Sequence, residues 1–162
     1  MSKAISRRDF LKVSGAVGAA GLLAACGGSS SEVQKSASEI ADAIYNTQTF
    51  QDTLNAIDAD MLGDYYRIDA ADLSDSKVYV SGSFSTAEEI AVFQASSSDA
   101  VENIKKAIDT RLEDLKLAFE NYVPGEMTKI NNPVLVTKGT TVVLVLADDT
   151  ASVSDQINEL LK

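Results

Sequence analysis

The 162-residue sequence predicts an α+β fold, with a small, mostly antiparallel sheet of about four strands. One long helix is expected to pack on the sheet, together with helices at the N- and C-terminal ends of the domain. Apolar residues recur every three or four positions over one long segment, which indicates a helix face. Short β-rich runs lie on both sides of that segment, and two of them flank a Lys-Gly turn. Apolar residues form 45% of the chain, an ordinary share for one buried core.

The first predicted helix covers residues 39–61. Its apolar residues fall near helical spacing and would share one face: Ile40, Ile44, Leu54, Ile57 and Met61. Residues 65–68 are expected to follow as a short extended piece.

Two strands are predicted next. Val78 and Val80 alternate with polar neighbours, and residues 90–95 form a short apolar run. The sequence Thr-Ala-Glu-Glu at residues 86–89 resembles a capping box. It therefore predicts one helical turn that leads into the second strand.

A stripe of apolar residues at steps of three or four predicts the long helix: Val101, Ile104, Ile108, Leu112, Leu115, Phe119 and Tyr122. Ser98 or Asp99 is expected to cap its start, and Pro124-Gly125 to end it. On the opposite face, the pairs Glu102–Lys106 and Lys116–Glu120 are placed to form i,i+4 ion pairs.

A hairpin and a last helix complete the predicted domain. Residues 134–136 and 141–147 flank Lys138-Gly139, which favours a tight turn. Residues 142–146 are apolar on both faces and predict a central strand covered on both sides. The acidic pair that follows, Asp148 and Asp149, can cap a helix over the remaining residues.

The first 25 residues have the pattern of a cleavable twin-arginine export signal. Arg7 and Arg8 lie in the sequence SRRDFLK at residues 6–12, and the apolar stretch 13–25 is too short to span a bilayer comfortably. Residues 23–26 read Leu-Ala-Ala-Cys, as in a bacterial lipobox, where Cys26 would receive a diacylglyceryl group. Two or more acyl chains, such as palmitate, anchor a protein stably. The sequence therefore predicts a lipoprotein held on the extracytoplasmic face of the cell membrane.

The domain organisation follows from this signal. Residues 1–25 form the signal peptide, and residues 26–38, rich in Gly and Ser, are expected to be a lipidated flexible tether. Residues 39–162 are expected to form a single globular domain. Twin-arginine export carries folded cargo, and lipoprotein signals also sometimes carry paired arginines without using that route.

Several short sequences within the domain match a known family: YRID at 66–69, EIAVF at 89–93, RLE at 111–113, YVP at 122–124 and KG at 138–139. Together they resemble a family of small bacterial lipoproteins, common in Gram-positive anaerobes, whose one domain is of unknown function. The resemblance spans about residues 39–150. It implies one domain and a lipid anchor, and it implies no activity.

Composition excludes several kinds of chemistry. The net charge is −10, so a nucleic acid is not expected as a partner, because phosphate binding needs a basic face. The chain has no His and one Cys, which removes imidazole bases, Cys/His metal sites and disulfides within the chain. No metal and no cofactor are therefore expected.

Four acidic residues form the candidate surface site: Glu88, Glu89, Asp148 and Asp149. Paired carboxylates can act as the acid and base of a glycosidase-type reaction, although acids at the ends of elements are more often caps or solvated surface. The sequence favours a non-enzymatic binding or accessory module of the cell envelope, with an envelope protein or polymer as partner. The alternative is a carboxylate-dependent envelope hydrolase or transferase.

Overall fold

The computed structural model describes residues 33–162. The predicted signal with Arg7 and Arg8, the predicted lipidation site Cys26 and the first part of the tether lie outside the described residues. The described residues form five α-helices and five strands: α1 (Ala37–Thr47), β1 (Leu54–Ile57), α2 (Leu62–Tyr66), β2 (Leu73–Ser81), β3 (Glu89–Ala95), α3 (Ser98–Phe119), α4 (Met127–Asn131), β4 (Val134–Lys138), β5 (Thr141–Leu146) and α5 (Thr150–Leu160). Short 3₁₀ turns lie at Ala59–Met61, Ala70–Asp72 and Pro124–Glu126.

The five strands form one antiparallel sheet in the order β1-β2-β3-β5-β4. The α+β class is confirmed, and the expected number of about four strands is too low by β1. The hairpin of β4 and β5 is confirmed, with Lys138 paired with Thr141 and Gly139 in the left-handed region at φ 57°. Glycine adopts that conformation without the steric cost that a Cβ would bring.

Helices cover both faces of the sheet. On one face, Ala91 and Phe93 of β3 pack in a core with α3, and on the other face Ile90 and Val92 pack in a core with α1 and α5. Because strand side chains alternate between faces, β3 and β5 contribute to both cores. Every residue of β5 is buried, so the predicted central strand with two covered faces is confirmed.

The first predicted helix is wrong beyond Thr47. Residues 54–57 form β1, an edge strand in which Leu54 pairs with Ser81 and Ile57 with Val78. The sequence of this strand, Leu-Asn-Ala-Ile, does not alternate regularly between apolar and polar residues, and the i,i+3 spacing of Leu54 and Ile57 matches a helix. The segment 65–68, expected to be extended, begins with the last two residues of the helix α2, which ends at Tyr66.

The helical turn predicted at residues 86–89 is also wrong, because Glu89 already belongs to β3. Glu88 and Glu89 do not cap a helix, and their carboxylates bond to distant segments instead. The helix α4 was not predicted. It has only five residues, too few to show a helical period.

The long helix α3 is confirmed, with Ser97 as its N-cap instead of Ser98 or Asp99. Its predicted stripe is buried from Val101 to Phe119, whereas Tyr122 lies past the helix end with 79% of its surface exposed. The ion pairs along α3 have i,i+3 spacing in place of the predicted i,i+4 spacing: Glu102–Lys105 at 2.9 Å and Glu113–Lys116 at 2.7 Å.

The helices at the two ends of the domain begin with side-chain caps. Ser36 and Glu39 form a reciprocal capping box at the start of α1, inside the stretch 26–38 predicted as a tether. Asp149 caps α5 as predicted and accepts a hydrogen bond from the Ser152 N–H at 3.0 Å. Among residues 33–162, no helix is both long and apolar enough to cross a membrane.

Candidate functional site

The structure places the four predicted acidic residues at one end of the two central strands. Glu88 and Glu89 stand at the start of β3, and Asp148 and Asp149 follow the end of β5, which runs antiparallel to it. Glu88 and Glu89 are each only 1% exposed, so the expectation of a solvated position is wrong for both. Asp148 and Asp149 are exposed. Successive strand residues point to opposite faces, which sends the two glutamates into different surroundings.

Glu89 lies in a buried cluster with Tyr66 of α2 and Arg111 of α3, here called the Glu89 cluster. The Arg111 guanidinium donates to both carboxylate oxygens, with Nη2 at 2.6 Å from Oε2 and Nε at 3.4 Å from Oε1. The Tyr66 hydroxyl donates to the same carboxylate. This two-pronged contact is the strong form of an Arg–carboxylate pair.

The Glu89 cluster shifts the titration of both donors. Burial, and next the negative charge of Glu89, raise the pKa of Tyr66 well above its usual value. Burial alone would lower the pKa of Arg111, but the charge and hydrogen bonds of Glu89 outweigh burial and raise it. Both donors therefore keep their protons at neutral pH and hold the carboxylate in place.

Glu88 belongs to a second cluster, the Lys129 cluster, which also contains Glu126 and Asp148. Lys129 of α4 is 3% exposed, and its Nζ lies 3.0 Å from a Glu126 oxygen, 3.6 Å from Glu88 and 3.5 Å from Asp148. Burial would lower the pKa of Lys129, but the hydrogen bond from Lys129 to Glu126 and the charges of Glu88 and Asp148 raise it. The ammonium group of Lys129 thus forms ion pairs with three carboxylates.

The carboxylates of the Lys129 cluster also bind main-chain N–H groups. Glu88 accepts hydrogen bonds from the backbone of Gln51 at 2.9 Å and Asp52 at 3.0 Å, and Glu126 accepts one from Ala87 at 2.8 Å. These bonds join the α1–β1 loop, the β2–β3 loop and the start of α4. In the described part of the chain, every buried side-chain nitrogen or oxygen has a hydrogen-bond partner. The ion pairs and hydrogen bonds of the two clusters therefore connect separate segments of the chain, which is a structural role.

A small pocket of about 40 Å³ is lined by Glu89 and Arg111 of the Glu89 cluster and by two aromatic residues, Tyr65 and Phe84. Arg111 also lies over the Tyr65 ring, 5.3 Å from the ring centroid. Phe84, in the loop between β2 and β3, has φ 56° and is 77% exposed. A non-glycine residue in the left-handed region costs about 1–2 kcal/mol, so the rest of the loop must hold it there.

Asp52 holds this loop. Its carboxylate accepts hydrogen bonds from the Ser81 hydroxyl at 2.6 Å and from both the hydroxyl and the N–H of Ser83, at 2.6 and 3.0 Å. The hydroxyl of Ser81, followed by that of Ser83, lowers the pKa of Asp52 from 3.8 to about 2. Ser83 immediately precedes Phe84, so Asp52 fixes the backbone from which the exposed ring projects.

The depressed pKa predicts an acid-sensitive loop. Below pH 3.8 the unfolded chain takes up this proton before the folded chain does, so the contribution of Asp52 to stability falls as the pH drops from about 4 to 2. Asp52→Asn should lower stability at pH 6 and flatten its decline over that interval, as measured by urea unfolding at several pH values. Asp109→Asn, at an exposed position of α3, is the matched control. An unchanged decline in Asp52→Asn would contradict this role.

The four predicted residues do not form one site. Glu88 and Asp148 meet through Lys129, Glu89 lies in the other cluster, and Asp149 caps α5. Sequence reasoning missed the basic partners Arg111 and Lys129. Arg111 lies three residues after Ile108 and four before Leu115, on the buried stripe of α3, and a cation in that position is a signal for a buried acid. Residues 33–162 contain no group of three or more Asp, Glu, His or Cys side chains arranged to hold a metal ion.

Two family models match the chain. The twin-arginine translocation pathway signal sequence matches residues 4–24, which confirms the predicted signal and indicates export out of the cytoplasm. The domain of unknown function DUF4358 matches residues 46–147, which contain all five strands, α3 and the Glu89 cluster. No curated protein and no solved structure matches the chain. Since the second match covers more than half of the 162 residues, the chain belongs to the family defined by the domain of unknown function DUF4358.

Proposed function

We propose that this exported protein is a lipid-anchored binding or accessory module of the cell envelope that works by contact. The observation that carries the proposal is Phe84, which is 77% exposed, has a left-handed backbone and belongs to the lining of a pocket. Exposure of a large apolar ring on a strained backbone is unfavourable for an isolated domain. A partner that covers the ring would recover the free energy of burying it.

The surroundings of Phe84 favour an amphipathic partner. Tyr65 adds a second ring to the same lining, and Arg111, paired with Glu89 and with 16% of its side chain exposed, adds a cation 5.3 Å from the centroid of that ring. Tyr and Arg are the residue types most often found, with Trp, at the energetic centres of protein interfaces. An envelope protein or polymer with an apolar segment and an acidic or polar group fits this arrangement.

The alternative function, a carboxylate-dependent hydrolase or transferase, requires a carboxylate that can exchange a proton with a substrate. Glu88 and Glu89 are each engaged by a buried cation and by further donors. The exposed carboxylate of Asp148 also accepts a hydrogen bond from the Gln51 side chain at 2.7 Å. This pattern of contacts supports a structural role for these acids, and thereby the binding function.

Site-specific photo-crosslinking in intact cells tests the proposal. A photoreactive phenylalanine analogue at Phe84 should give a discrete adduct with one envelope component, whereas the same analogue at Leu117, 71% exposed on α3, should not. Phe84→Ala should weaken the cellular function in proportion to the loss of that partner. Identical adducts from both positions, or none from position 84, would overturn the proposal. Full loss of function in Asp148→Asn, with folding and adduct intact, would favour the enzyme.

The lipid anchor is tested separately, through Cys26 in the sequence Leu-Ala-Ala-Cys. Cys26→Ser should remove the acyl modification, because serine lacks the thiol that takes the diacylglyceryl group, and leave the protein uncleaved or shed. Detergent phase partitioning and intact-mass measurement report the change. If the variant partitions into detergent like the wild type and keeps the same mass shift, the chain is not lipidated at this position.

A further inference from the structure

We infer that a groove beside the uncovered half of β2 binds an extended, cationic peptide segment of a partner protein, which adds to the sheet as a strand. The groove shares no lining residue with the Phe84 pocket, so this inference does not rest on the proposed contact at Phe84.

The sheet edge is incomplete at this point. β2 has nine residues and β1 only four, and β1 pairs with β2 from Val78 to Ser81. After Ile57 the chain turns away into the 3₁₀ turn Ala59–Met61. Residues 73–77 of β2 therefore pair with β3 on one side, with a register shift between Leu73 and Asp75, and no strand within residues 33–162 pairs with them on the other side. At about 3.3 Å per residue, this free edge is about 16 Å long.

The hydrogen-bond alternation shows which backbone groups face the free edge. The Ser81 N–H donates to the backbone carbonyl of Glu88, on the side of β3, at 3.0 Å. The Gly82 N–H donates to the backbone carbonyl of Thr53, on the side of β1, at 3.1 Å. Bonds in an antiparallel ladder alternate, so the backbone groups of Ser76 face the β1 side, beyond the last residue of β1. The Asp75 carboxylate accepts a hydrogen bond from the Ser76 N–H at 2.9 Å with one oxygen and from the Ala37 N–H of α1 at 2.8 Å with the other. An N–H of an incoming strand would donate to the Ser76 carbonyl, and a carbonyl of that strand would replace the Asp75 carboxylate as the acceptor for the Ser76 N–H.

The space beside this edge has the dimensions of a binding groove. Its volume is about 450 Å³, within the range of about 300–1,000 Å³ that is usual for ligand pockets. Leu62, Ile68 and Leu73 supply apolar surface, and Asp60 and Asp75 are the charged residues of the lining. Side chains of an added strand alternate in direction, so every second residue would contact the apolar surface.

The acidic residues around the groove indicate which kind of peptide would bind there. The segment of residues 58–75 around the groove carries six acidic residues: Asp58, Asp60, Asp64, Asp69, Asp72 and Asp75. Arg67 of this segment is paired with Asp114 of α3 at 2.8 Å. Lys77, on the free edge just beyond the segment, has its Nζ 4.8 Å from the centroid of the Tyr79 ring. A peptide that alternates apolar residues with Lys or Arg satisfies the strand edge, the apolar surface and the acidic rim together. Polymers without main-chain amides would leave the strand edge unpaired.

The test uses the full-length chain, labelled with ¹⁵N in mild detergent, and the probe peptide acetyl-Lys-Val-Lys-Val-Lys-amide. Amide shifts should concentrate at residues 59–63 and 73–77. The same peptide with N-methylated valines should bind about tenfold more weakly, because it cannot form the edge hydrogen bonds. A peptide with Glu in place of Lys should not bind.

Two variants place the site. Asp60→Lys should weaken binding of the Lys-Val peptide about threefold to tenfold, while Asp109→Lys on the exposed face of α3 should leave it unchanged. Ser76→Pro should abolish binding with the fold intact, since its N–H faces away from β3. Absence of binding, equal binding of the N-methylated or Glu peptide, or shifts centred on the opposite edge strand β4 would each overturn the inference. An unchanged affinity in Asp60→Lys would also overturn it, and this test does not depend on whether Ser76→Pro folds.

Discussion

Lys129→Met is expected to lower the free energy of unfolding by about 3–5 kcal/mol, a large part of the stability of an ordinary domain. Methionine can occupy the space of the lysine stem, but it leaves Glu88 and Glu126 buried without their cation. Both carboxylates also bind the backbone of neighbouring loops, so their protonation or movement would loosen three segments at once. Urea unfolding followed by circular dichroism measures the loss.

The matched control is Lys116→Met, which removes a cation from the surface pair with Glu113 on α3. Surface ion pairs contribute about 0–1 kcal/mol, so this variant should unfold almost like the wild type. If Lys129→Met and Lys116→Met cost the same, the Lys129 cluster does not hold the loops together. Partial recovery in the double variant Lys129→Met, Glu126→Gln would support the explanation through an unpaired charge.

Leu115→Asp should prevent stable folding, as should Leu112→Asp. Both leucines lie on the buried face of α3, in the core that covers one side of the sheet. The change removes apolar contacts and places a carboxylate among apolar side chains, where it loses its hydration. Thermal unfolding and amide dispersion in NMR spectra report the outcome. Lys106→Asp, exposed on the opposite face of the same helix, should melt close to the wild type. Equal melting temperatures for the three variants would mean that the stripe faces water.

Local signals in the sequence predicted the elements whose residues interact mainly with near neighbours. The stripe of α3, the turn at Gly139 and the cap at Asp149 all lie within one element or between adjacent ones. β1 was missed because its partner β2 begins sixteen positions later and because an edge strand shows little alternation. The pairing of β1 with β2 is a tertiary interaction, and it outweighs the helical spacing of two apolar residues.

The two charged clusters could not be predicted, because a glutamate in a sequence does not show whether it is buried. Glu89 and Arg111 are 22 positions apart in the sequence, and β3 and α3 separate Glu88 from Lys129 along the chain. Acids at the start of an element usually cap it or face water, and that general preference led to the wrong expectation of exposure. The charge pairs become visible only when the sheet brings β3, α3 and α4 to the same end.

The pairing of β3 with β5 has a consequence for the time course of export. Gln94 pairs with Thr141, so the middle of the sheet cannot form until a loop of more than forty residues, including α3, has closed. Chains dominated by such distant pairings fold in milliseconds to seconds, far more slowly than helical bundles. The twin-arginine pathway carries folded proteins, so for a chain exported by that route this closure is complete while the chain is still in the cytoplasm. The synthesis of β5, close to the C-terminus, therefore sets the earliest moment at which the molecule becomes competent for transport.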